Sequence, residues 1–307
     1  TLRNQFLYVS TANGESKPVN TGKIRNYGLE FSAGYRWNIN HDWRWQTGFN
    51  FAWNDNRILE TYKTESGVPY IVEMGTNAFK IKYIEGGRYG DIYVNSFARD
   101  ENGHIKINGA GDYENAVPVM ESGKYETYVG NTTSPVTLGW NNTFSWKNFN
   151  LYFLIDGRIG GKVMSLTEPD LDLFGLSERS AHDRLKGERV TQNGKEYVLK
   201  ELPDGSGNKV PVENYYTTIG AYPMEDHVYN ATNLRMRDIS LSYNFSNLLG
   251  KNTGLTAQFS IKNAFFIYKD SPIDPDISVS AANGYSGIDC YSLPTTRSYA
   301  LTLKFNF

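Results

Sequence analysis

The sequence of 307 residues predicts an all-β fold, a transmembrane antiparallel β-barrel of which about eight strands fall in this chain. Three observations carry that expectation. Apolar residues recur at every second position over runs of about 10 to 16 residues, the period of a strand with one apolar and one polar face. The connections between these runs alternate between short and long, as do the periplasmic turns and extracellular loops of outer-membrane barrels. Aromatic residues reach 14% while all hydrophobic residues together make up 39%, and mean hydropathy is −0.51. Strands that hide their apolar side chains in alternation have this composition.

The strands follow in order. Thr1 opens on "TLRNQFLYVS", which reads as a strand with no leader before it, so the chain is either cytoplasmic or a mature or truncated piece of a longer one. In "YGLEFSAGYRW", Tyr27, Leu29, Phe31, Ala33, Tyr35 and Trp37 oppose Gly28, Glu30, Ser32, Gly34 and Arg36. In "WRWQTGFNFAW", Trp43, Trp45, Phe49, Phe51 and Trp53 oppose Arg44, Gln46, Gly48, Asn50 and Ala52. The polar "NINHD" between them makes a hairpin. Val136, Leu138, Trp140, Phe144 and Trp146 form a third face, and Phe149, Leu151, Phe153 and Ile155 a fourth, across a turn at Lys147 and Asn148. A third hairpin sets Ile239, Leu241, Tyr243 and Phe245 beside Leu255, Ala257, Phe259 and Ile261. The last strand carries Tyr299, Leu301, Leu303, Phe305 and Phe307 on one side and Ser298, Thr302, Lys304 and Asn306 on the other.

Short turns near 38–42, 147–148 and 246–253 and long connections at 59–133, 164–227 and 269–294 give the strands a direction. Residues 24–37, 134–146, 228–245 and 295–307 run inward and the others outward. Trp37, Trp43, Trp45, Phe144, Trp146 and Phe149 cluster at the short turns, where an interfacial aromatic girdle belongs. Within the long connections, Asn102-Gly103 and Asn193-Gly194 read as hairpins with primed turns, and residues 171–188 as helical. A soluble β-sandwich also alternates, but its strands average five or six residues, about half the length seen here.

Several classes are excluded. No apolar run approaches the roughly 18 residues of a spanning helix. With 31 Lys+Arg against 33 Asp+Glu, no nucleic-acid partner is implied. Cys290 is the single cysteine, so no internal disulfide or thiolate zinc site can form. His41, His104, His182 and His227 lack metal-ligand spacing, and "EGGRYG" lacks the Lys-Ser/Thr of a P-loop. Its glycines read as tight turns. "TEPDLD" and "SPIDPD" place Glu168, Asp170 and Asp172, and Asp274 and Asp276, at alternate positions that calcium could use, although the prolines there favour plain turns. No catalytic residue, resident metal or cofactor is expected, and the chain does not read as an enzyme.

The stretches "TGKIRNYGLEFSAGY", "VGNTTSPVTLGWNNTFSWKNFNLYFLIDGRIGGKV", "YNATNLRMRDISLSYNF" and "NAFFIYKDSPIDPDISVSAANGYSGIDCYSLPTTRSYALTLKFNF" resemble the C-terminal barrel of the SusC/RagA family of TonB-dependent outer-membrane transporters of Bacteroidetes. The resemblance covers most of residues 20–307 and is weakest in 60–125 and 165–225. It implies that residues 1–307 are the C-terminal part of a 22-stranded barrel whose N-terminal plug and TonB box are not in this chain. It further implies a bacterial outer-membrane location, a SusD-like surface lipoprotein as lid, TonB acting through the missing N-terminal region, and oligosaccharide or peptide cargo. Outer-membrane lipid and a dimer of transporter-lid pairs complete the expected surroundings.

Transport needs a lumen rather than covalent chemistry. Lumen-lining or cargo-touching roles are therefore expected among the polar-face residues Glu30, Arg36, Arg44, Asn50, Asp156, Arg158, Gln258 and Lys262. The loop aromatics Tyr215, Tyr216, Tyr222 and Tyr285 offer flat faces for a sugar ring, or else pack the loop. A passive barrel or adhesin, and a soluble carbohydrate-binding β protein, are the alternative readings.

Overall fold

The computed structural model describes residues 6–10, 16–20 and 22–306 apart from 64–66, 68, 70, 122, 220–223, 247–252 and 280–285. Tyr222, Tyr285 and Phe307 lie outside the described residues. Seven strands form one sheet: β1 (Gly22–Asn38), β2 (Trp43–Thr61), β3 (Val136–Trp146), β4 (Phe149–Ile159), β5 (Asn233–Ser246), β6 (Gly254–Lys269) and β7 (Ser298–Asn306). They lie in chain order and every neighbouring pair is antiparallel, so the sheet is an up-and-down meander. β1 and β7 are its two edges and do not pair with each other. Backbone groups cannot stay unpaired in hydrocarbon, so this sheet is an arc of a larger barrel.

Seven long strands share this sheet among the described residues, in keeping with an expectation of about eight. Phe6–Ser10 is extended but pairs with Ser16–Asn20 in a separate two-stranded sheet.

Register explains why the alternation persists through the whole sheet. Phe31 faces Phe51, which faces Leu138, and Trp43 faces Trp146, which faces Phe149, which faces Tyr243. Apolar positions therefore meet apolar positions, and one surface of the sheet is greasy from edge to edge. Leu301 on β7 is 72% exposed and Tyr35 on β1 is 61% exposed. Side chains of this kind need acyl chains as solvent. At the short-turn end, Trp43–Trp146, Trp146–Phe149 and Phe149–Tyr243 make ring contacts at centroid separations of 5.6, 6.0 and 4.5 Å, which builds the expected aromatic girdle. Trp53 lies ten positions beyond Trp43. At about 3.3 Å per residue and 45° of tilt they span roughly 23 Å, close to the height of a barrel's apolar band.

β2 continues beyond that band to Thr61, and there the buried core begins. Ile58 packs with Phe79, Ile81, Ile92 and Val94 of the 62–135 connection, Met164 and Met224 of the 160–232 connection, and Ile288 of the 270–297 connection. A second cluster joins Phe97, Ile105 and Ala116 to Leu202, Val210, Val212, Tyr215 and Tyr216. The three long loops are thus one cap with two cores, set on the outer ends of the strands. Within it, Ser177 caps α2 (Glu178–Lys186) by accepting from the Ser180 amide at 3.1 Å, and α1 (Glu168–Leu173) precedes it. The helical expectation for 171–188 is met by two short helices; α3 (Val212–Ile219) was not foreseen.

Of the two loop turns, Asn193-Gly194 has the primed form, with φ of 52° and 79°, between Glu188–Gln192 and Lys195–Glu201. Asn102-Gly103 differs. Only Gly103 has positive φ, and the Asp100 carboxylate accepts from the Asn102 and His104 amides at 2.9 Å, which tightens a longer turn between Arg99 and Ile105. In "EGGRYG", Gly86 and Gly90 have φ of 81° and 90°, which are turn conformations.

Candidate functional site

The polar surface of the sheet is ordered in rows along the hydrogen-bonding direction. Glu30 and Arg158 share one row through Ala52 and Thr137, and Asn50 and Asp156 share the next through Gly139. Lys262 lies in a third row, opposite Asp238 and Ser298, and Arg36 in a fourth. Arg44 and Gln258 share a fifth through Ser145, Asn150 and Ser242, nearest the short turns. The eight expected wall residues therefore share a surface without converging on one point.

Their immediate partners separate them further. Arg36 donates to Gln46 at 3.2 Å, Arg44 donates to Asn38 at 3.2 Å, and the Asn50 carbonyl accepts from Ser32 at 2.7 Å. These pairs link β1 to β2 along the wall. Asp156 instead accepts from Arg237 at 2.7 Å, and Arg158 stands 3.5 Å from Asp276. Both belong to a denser site.

That site lies where the upper sheet meets the 270–297 connection. Arg235 is 1% exposed and donates to both Asp274 oxygens at 2.7 Å and to Asp276 at 3.1 Å. Arg237 donates to Asp276 at 2.6 Å and to the Asn263 carbonyl at 3.0 Å. Thr295 donates to Asp274 as well. Burial pushes the Asp274 carboxyl upward, but Thr295, the Asp276 amide and Arg235 outweigh it and hold it below the usual range. Both Asp274 oxygens and Asp276 Oδ2 are thus engaged by guanidinium groups, and the calcium reading of "SPIDPD" gives way to an arginine clamp. In "TEPDLD", Asp172 is likewise taken by Arg179 and Ser177. Among the described residues no group of three or more acid, His or Cys side chains could hold a metal ion.

Sequence reasoning missed Arg235 and Arg237. Strict alternation from Ile239 and Leu241 assigns both to the greasy surface, where two arginines would be costly. The structure resolves this with a β-bulge: the pairing skips Arg237 between Asp238 and Met236 on β5, and Asn263, with φ of 51°, lies in the facing irregularity of β6. One extra residue returns Arg235 to the polar surface opposite Asp156. Two arginines in an apolar register were the available signal.

The second dense site lies in the cap. Tyr215 and Tyr216 are 2% and 3% exposed and donate to Asp226 at 2.5 Å and Asp183 at 2.6 Å. Lys200 sits over both rings, 4.9 and 5.5 Å from their centroids, and pairs with Asp183 at 2.6 Å. Both rings pack inside the cap, with the Lys200 cation against their faces. They form one wall of a cavity of about 630 Å³ that also includes Arg179, His182, Lys200 and Glu168. A second cavity of about 600 Å³ meets it at Glu168 and Pro272. Glu168 accepts from Tyr229 at 2.5 Å; burial nevertheless pushes its carboxyl up, and Asp172 and Asp289 add to the rise.

An arc of antiparallel bilayer-spanning strands with a polar inner wall and a folded outer cap defines the class: a segment of an outer-membrane β-barrel. No family model matches the chain. It is similar to the TonB-dependent receptor SusC of Bacteroides thetaiotaomicron, 24% identical over all of this chain and 29% of that protein. The TonB-dependent receptor P3 of Formosa agariphila is 23% identical over 95% of this chain and 30% of its own length. Among solved structures, that of the RagAB peptide transporter superposes with a TM-score of 0.64 at 18% identity, covering 95% of this chain and 30% of that one. Together these bear out the resemblance to the SusC/RagA type of TonB-dependent receptor, and the chain spans about 30% of the length of the relatives it matches. Those relatives are named as receptors and transporters, not enzymes.

Proposed function

We propose that residues 1–307 are the C-terminal barrel part of a TonB-dependent importer that carries an oligosaccharide, or else an oligopeptide, across the bacterial outer membrane. The supporting observation is the pairing of a continuous greasy surface with a polar wall of five rows, which suits lipid outside and a wet lumen inside. Glu30, Arg36, Arg44, Asn50, Gln258 and Lys262 face that lumen, while Asp156 and Arg158 support its mouth. Energy comes through TonB by way of a plug and TonB box encoded outside this chain. A SusD-like lipoprotein closes the mouth, and Phe174, Leu176 and Leu185, each exposed on the cap, give it an apolar surface to meet. Two such transporter-lid pairs associate as a dimer.

Uptake of fluorescent oligosaccharide and oligopeptide mixtures by cells with and without the gene tests this reading. Import of one mixture should need the gene and stop when a protonophore collapses the proton gradient. Gene-dependent entry that survives the protonophore would mark a passive barrel instead.

A further inference from the structure

The 600 Å³ cavity lies where the sheet is one strand short. β7 pairs with β6 only as far as Ser298 opposite Lys262, so above that level β6 has β5 on one side and no strand on the other among the described residues. A strand laid against the outer edge of β7 would stand two spacings, roughly 10 Å, from β6, which leaves a slot one strand wide. Phe265 borders the cavity from the greasy surface, because it shares a row with Ile155 and Met236. The cavity therefore reaches the side of the barrel that meets lipid.

Charge is sorted within it. The three carboxylates of its lining are buried or half-buried, and each is engaged: Asp274 by Arg235 and Thr295, Asp289 by Ser165 and Thr167, and Glu168 by Tyr229. The exposed part of the lining holds no acid. It combines Leu171, Phe265, Pro272 and Pro294 with two cations, Lys269 and Arg297. Lys269 donates to the Pro272 carbonyl at 3.0 Å and lies over the Phe266 ring, and neither it nor Arg297 has a carboxylate partner among the described residues. Their height matters as well. Leu255 and Phe305 stand opposite each other near the short-turn end. At about 3.3 Å per residue and 45° of tilt, Arg297 is roughly 19 Å above Phe305 and Lys269 roughly 30 Å above Leu255. The two cations thus bracket the outer edge of an apolar band about 25 Å tall, where lipid headgroups begin.

We propose that this slot binds an anionic lipid of the outer leaflet, its phosphate between Lys269 and Arg297 and one acyl chain running down beside Phe265. The inference rests on the barrel reading but not on what is imported. A neutral headgroup would leave both cations uncompensated at the edge of hydrocarbon, whereas a phosphate answers both. An amphiphile fits better than a soluble anion, because the cations rise from an apolar lining that continues into the bilayer. Each cation is worth about a fivefold preference for an anionic over a neutral headgroup.

Photo-crosslinking in the intact receptor tests the site. The receptor is held in phosphatidylcholine nanodiscs carrying a small fraction of one probe, either phosphatidylglycerol or phosphatidylcholine, each with the same diazirine-bearing acyl chain, and labelled peptides are mapped. Phosphatidylglycerol should label residues 263–269 at least about fivefold more than phosphatidylcholine does. Lys269→Gln combined with Arg297→Gln should bring the two probes to within about twofold of each other. Arg189→Gln combined with Lys195→Gln takes the same charge from an exposed cap hairpin and should leave the preference intact; its loss there would mean a general charge effect and overturn the site. Equal labelling by the two probes in the unaltered receptor would also overturn it, as would a preference that survives in the Lys269 and Arg297 variant. Displacement of the phosphatidylglycerol probe by excess inorganic phosphate would mark a free-anion site instead of a lipid site. Should the double variant fail to insert, Arg297→Gln alone breaks no ion pair among the described residues and should lower the preference about fivefold. No change in that variant would sink the proposal. Labelling does not depend on import, so a failed uptake assay and a failed lipid site are distinguishable.

Discussion

Leu301 and Thr302 are neighbours in β7 with opposite surroundings, because a strand sends successive side chains to opposite faces. Leu301 stands opposite Phe259 in the greasy surface, whereas Thr302 stands opposite Gln258 in the polar row. Arginine at 301 must enter hydrocarbon near the midplane, at a cost of about 2 to 4 kcal/mol, while arginine at 302 meets water. Leu301→Arg should therefore lose far more stability in lipid-vesicle refolding than Thr302→Arg, and equal losses would reverse the faces. A second contrast separates the two kinds of arginine on the polar wall. Arg235→Leu strands the buried Asp274 carboxylate and should cost about 3 to 5 kcal/mol in the same refolding measurement. Arg36→Leu removes one exposed bond to Gln46 and should change stability by less than about 1 kcal/mol.

Elements differ in how much of their cause is local. The Asn193-Gly194 turn is set by two residues with positive φ, and a Cβ added at Gly194 would meet nothing within 4 Å. Gly194→Ala therefore meets only the left-handed backbone penalty of about 1 to 2 kcal/mol. Its signature should be faster hydrogen exchange confined to residues 188–201, without effect on the sheet. Local causes of this kind were legible in the sequence: the strand faces of β1 to β7 short of the β5 bulge, the aromatic girdle, the short turns and the helical stretch all follow from spacing within one segment. The polar face of each strand was legible too, but its ordering into rows came only with the pairing register. What could not be read were features that join distant segments. The bulge that turns Arg235 and Arg237 inward depends on Asp274 and Asp276 some forty residues later. Tyr215 and Tyr216 looked available because nothing near them in sequence shows that Phe97, Lys200 and Asp226 would enclose them. Phe6–Ser10 shows the same limit: it has strand character, but its pairing partner decides which sheet it joins.

At the scale of the whole molecule, solvent divides the labour. The sheet has no core of its own and depends on lipid, whereas the cap carries two buried clusters like a small water-soluble domain. The cap should then respond to pH while the sheet does not. Two glutamates join its parts. Glu168 lies among Tyr229, Arg179, Asp172 and Asp289, and Glu225 accepts from the Phe97 amide at 3.1 Å beside Arg99 and Asp226. Burial raises both carboxyls above the ordinary glutamate value of 4.5, and their hydrogen bonds offset this only in part. A carboxyl whose folded pKa is raised binds protons more tightly in the folded state. Its stabilisation is fully present below the unfolded value and is lost as pH rises through the folded one. Asp183 and Asp274 have the opposite sign: both are lowered from 3.8, so their contribution is present above that value and disappears as pH falls further. The cap should therefore be most resistant between these windows, above the aspartate range and below the raised glutamate range, and should loosen on the way to neutral pH. Limited proteolysis of receptor in nanodiscs, with protease activity calibrated at each pH, should show cleavage of the cap rising as pH is raised above the ordinary glutamate value of 4.5. Glu168→Gln combined with Glu225→Gln should flatten that rise, since an amide keeps the hydrogen bonds and cannot titrate. A cap equally resistant across the range in the unaltered receptor would show that neither glutamate takes up a proton on folding.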